Sequence, residues 1–331
     1  LKEARLYTKK ALELNPNDVN ANINLGGILI DEQNSSEGEK YTKKALEIDS
    51  NNHQAIINLG VIMVNKGNFK EAEKLLFKSL KNEKQKFKSL FYLSKLRELE
   101  NQEKLENILF QNADTNLINK ENLIYLYFAR SELLHRKKDY KKSGEYLKKA
   151  NDIRLKGLGS NKNDIIENSR KLKLYTQTNK LDQYLGESIA ECIFIVGMPR
   201  SGSTLLESIL NMNKDVFDLG ETNILENSFE EYNNENILDK KLSEIYIQKM
   251  NNNRINSSIS TDKWLFNYQY AGIICSLIPN SRIINCYRHP LDNILSIYRA
   301  NFDNRGNHFS SSLEETARLY LEQEDTILKY K

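Results

Sequence analysis

The sequence is poor in the residues that support disulfide frameworks and metal sites. Its 331 residues include three cysteines, an odd number without C-x-x-C spacing, and four histidines without H-x-x-x-H spacing. A disulfide-bonded scaffold or a zinc ribbon is therefore not expected. Only four prolines and fourteen glycines are present, so the places where they cluster are informative.

Long apolar runs and an excess of charge are also missing. The longest apolar runs, such as 193–197, are far below the ~18–20 residues that cross a bilayer. Lys and Arg number 48 against 45 Asp and Glu, a net charge of +3, which gives no reason to expect nucleic-acid or membrane-surface binding. At about 150 residues per domain the length predicts two domains, and we expect a cytoplasmic location. The chain begins on Leu1 inside a helical pattern and is expected to be a fragment, so a targeting peptide could be missing.

The first half contains an internal repeat with a period of 34 residues. The block Tyr-Thr-Lys-Lys-Ala-Leu-Glu at 7–13 recurs at 41–47, and Leu-Gly at 25–26 recurs at 59–60. A third, more divergent copy continues in register, with Ser94 at the place of Gly26 and Gly60. Small residues at these places predict that two helices of one repeat cross closely. A further helix pair is predicted between residues 122 and 153.

This period and these blocks resemble the tetratricopeptide repeat. The resemblance implies stacked helix pairs that form an α-solenoid over residues 1–155, with a concave face that binds peptides. The alternative is that the repeats only support the neighbouring domain. A helical linker is expected over 156–190, and an α/β domain over 191–331.

The second half opens with a pattern that is typical of phosphate-binding proteins. A buried strand at 192–196 is followed by a glycine-bounded loop and then by a helix from Leu205, so that backbone N–H groups converge on an anion. The spacing of Gly197 and Gly202 matches a P-loop, but Ser203 stands where a nucleotide triphosphatase has lysine. The positive charge lies inside the loop at Arg200. The pattern therefore predicts a phosphate-bearing donor without an obligatory metal ion, and argues against a kinase or ATPase.

Two further strands are predicted at 258–263 and 282–287, each followed by a helix. Such alternation predicts a parallel sheet whose ligand site lies at the carboxyl ends of the strands. Arg200, Lys263 and Arg288 are then expected to converge on that edge. The helices that follow the two strands are predicted over 267–277 and 291–302.

Residues 197–207 resemble the 5′-phosphosulfate loop of the sulfotransferase family, in particular of bacterial proteins that join tetratricopeptide repeats to a sulfotransferase domain. Residues 288–296 resemble the 3′-phosphate motif of that family, with its arginine and serine eight positions apart. The chain departs from the family at Ser203, where threonine is usual, and at His289, where aspartate is more common. His289 is expected to pack rather than to act as a base.

Two features resemble the protein-tyrosine sulfotransferase branch. Glu221, within Gly-Glu, follows Arg200 by 21 residues, the spacing in that branch between the loop arginine and the catalytic glutamate. Lys263, within Asp-Lys, resembles the catalytic lysine. The C-terminal part of the family, with its loop over the adenine, has no counterpart before the chain stops at Lys331, so the domain is expected to be C-terminally truncated.

The resemblance implies the donor 3′-phosphoadenosine 5′-phosphosulfate and no metal. It makes Glu221 the base, Lys263 the cation at the bridging oxygen, and Arg200 a ligand of the phosphosulfate. Glu221 could instead cap a helix or pair with Arg200. The implied donor-binding residues are Pro199, Arg200, Ser201, Gly202, Ser203, Thr204, Arg288 and Ser296.

The acceptor that the resemblance implies is a tyrosine hydroxyl of a protein or peptide, docked by the repeats. Hydroxyls of saccharides and small molecules require the same chemistry and remain alternatives, as does a homodimeric arrangement. A different class of function is a peptide-binding scaffold with an inactive nucleotide domain.

Overall fold

The computed structural model describes residues 2–31, 34–111, 115–179, 191–233, 241–251, 259–302 and 306–330. The chain divides into two compact units, Leu1–Gly157 and Leu158–Lys331. No helix among the described residues is long and apolar enough to cross a membrane.

The described part of the first unit is helical, in agreement with the predicted solenoid. A short 3₁₀ turn, Thr115–Leu117, precedes its last helix pair. Its α-helices are α1 (Lys2–Leu14), α2 (Val19–Asp31), α3 (Ser35–Ile48), α4 (His53–Asn65), α5 (Phe69–Ser79), α6 (Lys86–Lys95), α7 (Gln102–Phe110), α8 (Lys120–Arg136) and α9 (Tyr140–Leu158).

The small residues of the repeat lie where consecutive helices touch, as predicted. A Cβ atom added at Gly26 in α2 would lie 2.5 Å from the Thr42 hydroxyl oxygen in α3, and one at Gly60 in α4 would lie 3.0 Å from the Leu76 side chain in α5. These positions therefore exclude larger side chains, which explains why glycine appears in both copies.

Helix starts in the first unit also follow the repeat. Asn34 and Asn68, which stand 34 residues apart, accept hydrogen bonds from the backbone N–H groups at the starts of α3 and α5. An asparagine at this position satisfies an N–H group that the helix itself leaves unpaired. The 34-residue period is thus present in the helix caps as well as in the core.

The second unit contains a parallel four-stranded sheet, which confirms the predicted fold class. Its strands are β1 (Glu191–Gly197), β2 (Val216–Asp218), β3 (Ile259–Asp262) and β4 (Ser281–Cys286), in the order β2-β3-β1-β4. β1 pairs with β3 on one side and with β4 on the other, and most of its residues are buried. β2 was not predicted from the sequence.

Helices cover the sheet, and two 3₁₀ helices, Leu265–Tyr270 and His308–Ser311, connect parts of the chain. A large apolar core lies between sheet and helices and includes Phe194, Tyr246 and Ile273. The α-helices are α10 (Lys162–Thr178), α11 (Ser203–Leu210), α12 (Ile224–Tyr232), α13 (Leu242–Asn251), α14 (Ala271–Leu277), α15 (Pro290–Tyr298) and α16 (Leu313–Leu328).

Three predicted segments differ from the structure. The segment predicted as a helical linker, 156–190, contains the helix α10. This helix is part of the second unit, where it packs against α16 with ion pairs of Lys173 to Glu322 and Asp325. Residues 180–190 lie outside the described residues. The segment predicted as a helix over 267–277 is a 3₁₀ helix up to Tyr270 and an α-helix from Ala271; the Asp262 carboxylate accepts from Trp264 N and the Asn267 amide near its start. The helix predicted over 291–302 ends at Tyr298, and Phe302 packs beyond it against an apolar cluster.

Candidate active site

The loop after β1 has the backbone of an anion-binding site. Gly197, Arg200 and Gly202 all have positive φ angles, +144°, +67° and +103°. A Cβ atom at Gly197 would lie 2.6 Å from the carbonyl oxygen of Cys286 in β4, so glycine is required where the two strands end. The loop then leads into the N-terminus of α11, where no described side chain caps the free N–H groups.

Side chains and helices on the β4 side hold this loop in place. The Met198 side chain is buried in an apolar cluster with residues of α15 and α16. The Asn293 amide in α15 donates to the Pro199 carbonyl at 2.9 Å, and an Arg288 guanidinium nitrogen donates to the Arg200 carbonyl at 3.2 Å. The loop is thus fixed through its carbonyl groups, which leaves N–H groups for a ligand. The Ser201 hydroxyl is buried and has no partner among the described residues.

The second predicted motif lies against the first. Arg288 follows β4, and the Tyr320 hydroxyl in α16 donates to its carbonyl at 3.1 Å. Ser296 lies on α15, which begins at Pro290, and its hydroxyl accepts a hydrogen bond of 3.4 Å from Arg200 Nε. The structure therefore brings Arg200, Arg288 and Ser296 together at the carboxyl edge of the sheet. His289, expected to pack, is instead exposed immediately before α15.

Glu221 is placed beside Lys263 by the backbone of β2 and β3. The ladder continues past β2, since Leu219 N donates to the Thr261 carbonyl at 2.8 Å and Lys263 N donates to the Gly220 carbonyl at 3.0 Å. Gly220 has a φ of +66°, which favours glycine there. Lys263 Nζ then lies 3.0 Å from Glu221 Oε1. Glu221 pairs with this lysine, not with Arg200 as the alternative interpretation supposed.

Lys263 connects this pair to the loop. Its side chain is 1% exposed, although it is charged, and its Nζ donates to the Thr204 hydroxyl at 3.4 Å. A second carboxylate, Glu207 Oε2 in α11, lies 3.4 Å from the same nitrogen. Burial raises the pKa of Glu207 above its ordinary value, and the lysine charge opposes that shift. Sequence reasoning did not identify Glu207; the signal was a carboxylate among apolar residues on the helix that follows the loop.

Asp262 lies next to Lys263 but faces the core. Its carboxylate is fully buried and accepts hydrogen bonds from Trp264 N at 3.1 Å, the Asn267 amide at 3.0 Å and the Tyr246 hydroxyl at 2.9 Å. Burial raises the pKa of Asp262 to about 7. Through its hydrogen bonds to Trp264 N and the Asn267 amide, the carboxylate fixes the turn that carries Lys263. Among the described residues, no group of three or more His, Cys, Asp or Glu side chains could hold a metal ion.

Comparison with known proteins agrees with this geometry. Residues 192–329 match the model of the sulfotransferase family, and residues 19–52 and 124–156 match that of the tetratricopeptide repeat. An uncharacterized protein of Aquifex aeolicus (strain VF5) is 26% identical over 196 residues, which cover 53% of this chain and 26% of that protein. The chain thus spans about a quarter of the length of this relative. Residues 192–329 are thus similar to the sulfotransferase family, and parts of the chain before them are similar to the tetratricopeptide repeat.

Proposed function

We propose that the second unit transfers a sulfuryl group from 3′-phosphoadenosine 5′-phosphosulfate to an acceptor hydroxyl. The observation that carries the proposal is the buried Lys263. It contacts both Glu221 and the Thr204 hydroxyl in the first turn of α11, the helix that follows the glycine-bounded loop. In the reaction the bond between sulfur and the bridging oxygen breaks, and its electron pair stays on the 5′-phosphate. A new bond forms between sulfur and the acceptor oxygen, whose proton passes to a base.

The donor-binding half of the site suits two phosphate groups. Arg200 and the N–H groups of 201–204 would bind the 5′-phosphosulfate, because a guanidinium can bind two anionic oxygens at once. Arg288 and Ser296 would bind the 3′-phosphate, which distinguishes this donor from ATP. The hydrogen bond from Arg200 Nε to the Ser296 hydroxyl supports this division, since the side chains that we assign to the two phosphates lie side by side.

Lys263 and Glu221 would perform the chemistry. The ammonium group of Lys263 would neutralise the negative charge that develops on the bridging oxygen, and such stabilisation is strongest in a site without water. The Glu221 side chain is 51% exposed, so an acceptor can reach it. Glu221 would accept the proton of the acceptor hydroxyl, which a tyrosine with a pKa near ~10 does not lose unaided at neutral pH.

The acceptor that we propose first is a tyrosine in a protein or peptide. The support is the resemblance of Gly220–Glu221 and Asp262–Lys263 to the tyrosine-specific branch, together with repeats of a kind that commonly mediates protein interactions. Saccharide and small-molecule hydroxyls are the competing acceptors. Labelled sulfate from the donor should appear on tyrosine peptides and not on their phenylalanine analogues; label on saccharides alone would overturn the tyrosine assignment.

The donor assignment is tested by calorimetric binding of 3′-phosphoadenosine 5′-phosphate and of ATP without magnesium. We expect the first to bind more tightly, and Arg288→Ala to weaken it roughly 10- to 100-fold, because hydrogen bonds to charged groups are lost. Arg282→Ala removes the same charge from the exposed, opposite end of β4 and should change little. Equal or tighter binding of ATP, or no binding of either, would contradict the donor and leave the repeats as the main indication of function.

A further inference from the structure

The ammonium group of Lys263 has two carboxylate partners that differ in their surroundings. Glu221 lies on its solvent side, with half of its side chain exposed, whereas the Glu207 side chain is only 7% exposed. Glu207 projects from α11, and the Thr261 hydroxyl in β3 donates to its Oε1 at 3.4 Å. One carboxylate is therefore able to move toward an acceptor, and the other is fixed in the protein.

This difference matters when a proton is transferred. If Glu221 accepts the proton of the acceptor, it becomes neutral and no longer balances the charge of Lys263. An uncompensated buried charge is costly, so a lysine with Glu221 as its sole carboxylate partner would not be held in place at that moment. Glu207 remains within 3.4 Å of Nζ and is independent of the acceptor.

We propose that Glu207 is a positioning residue that holds the charged Lys263 against the phosphate loop while Glu221 leaves it to serve the acceptor. The inference rests on the proposed sulfuryl transfer and adds to it a second carboxylate with a different task. Glu207 touches neither donor nor acceptor in this scheme. It acts through Lys263, by fixing both the charge and the location of the ammonium group.

The charged groups around Glu207 are consistent with this task. Lys263 attracts the ionised form, while Asp218 at the end of β2 disfavours it by like-charge repulsion. Asp262 is also close enough to Glu207 for their charges to interact. Burial and Asp218 together raise the pKa of Glu207, so the lysine is the main group that favours its ionised form.

The test compares Glu207→Gln with Glu207→Asp in steady-state sulfuryl transfer as a function of pH. Gln keeps the length and removes the charge, whereas Asp keeps the charge on a shorter side chain. We expect Gln to lower kcat at least about tenfold with little change in the KM of the donor, and Asp to recover part of that loss. Burial raises the pKa of Glu207, so its protonation should contribute to the loss of kcat/KM at low pH in the wild type, and this contribution should be absent in Glu207→Gln.

Asp215→Asn is the matched control, because it removes an exposed carboxylate just before β2 that is not among the carboxylates paired with Lys263. Unchanged kcat and an unchanged pH profile in Glu207→Gln, as in this control, would overturn the positioning role while leaving the proposed function intact. Wild-type protein without donor binding or transfer would instead contradict the proposed function. If Glu207→Gln fails to fold, Thr261→Val replaces it, because this variant removes the hydrogen bond from the Thr261 hydroxyl to Glu207. Thr261→Val should lower kcat by a smaller factor, and an unchanged kcat would overturn the positioning role.

Discussion

The buried carboxylate of Asp262 should make the stability of the second unit depend on pH. In the folded protein the group lies in the core beneath the site, and burial raises its pKa from 3.8 to about 7. Asp262→Asn keeps an oxygen that can accept from Trp264 N and Asn267, and replaces the second oxygen by an amide that can donate to the Tyr246 hydroxyl. The variant removes the titration but preserves most of the hydrogen bonds.

The sign of the effect follows from proton linkage. Because the folded state binds the proton more tightly than the unfolded chain, the contribution of Asp262 to stability is complete below pH 3.8 and is lost as the pH rises through about 7. With these two pKa values, the free energy of unfolding should fall by about 2.5 kcal/mol between pH 5 and pH 8 from this group alone. In Asp262→Asn that part of the slope should disappear.

Urea unfolding followed by tryptophan fluorescence measures this quantity selectively. The chain has one tryptophan, Trp264, which lies in the second unit next to Asp262. When the free energy of unfolding of the variant is subtracted from that of the wild type at each pH, the titration of the remaining groups cancels. As a control, Asp218→Asn removes an exposed carboxylate on β2. This variant should keep the wild-type dependence of the free energy of unfolding on pH. Identical slopes for wild type and Asp262→Asn would refute a buried carboxyl with a raised pKa.

Substitutions of Gly26 and Gly197 test the close contacts that these glycines make, and a substitution of Gly144 is the control. Gly26→Ala places a methyl group 2.5 Å from the Thr42 hydroxyl oxygen and should destabilise the first unit by about 1–2 kcal/mol, as overpacking outweighs the better helix propensity. Gly144→Ala in α9 is the control, because a Cβ atom there meets no neighbouring group within 4 Å apart from its own helix; it should stabilise the first unit by about 0.5–1 kcal/mol. Equal shifts of the two variants in thermal unfolding followed by circular dichroism would contradict this account. Gly197→Ala, at a positive φ and 2.6 Å from the Cys286 carbonyl, should abolish binding of 3′-phosphoadenosine 5′-phosphate, whereas wild-type affinity would contradict the loop geometry.

The proposed donor-binding residues could be placed together from the sequence because they are near one another in the chain or at strand ends. The loop at 197–204 follows a buried strand directly, and its geometry is local. Arg288 follows a second strand, and the carboxyl ends of parallel strands meet at one edge of a sheet. Strand identity and order along the chain were therefore sufficient to place Arg200 near Arg288.

The acceptor half could be predicted only in part. β2 has three residues and no apolar alternation, so its pairing with β3 is not visible in the sequence. Without that pairing, the place of Glu221 beside Lys263 depended on the family resemblance. Glu207 was missed because its burial depends on how α11 packs on the sheet, including the contact with Thr261 in β3, and such long-range contacts are not visible in the local sequence.

The two halves of the site depend on different supports. The donor loop is held from β4, α15 and α16 through Asn293, Arg288 and Tyr320, whereas Glu221 is held by two backbone hydrogen bonds beyond β2. Lys263 contacts both halves, since its Nζ reaches Thr204 in the first turn of α11 and Glu221 beyond β2. On the proposed function, we expect changes around β2 to alter the choice of acceptor without moving the loop at 197–202, as long as Lys263 keeps its place. In our proposal Glu207 supplies that condition, because it projects from α11, which follows the loop directly, and its carboxylate lies 3.4 Å from Lys263 Nζ.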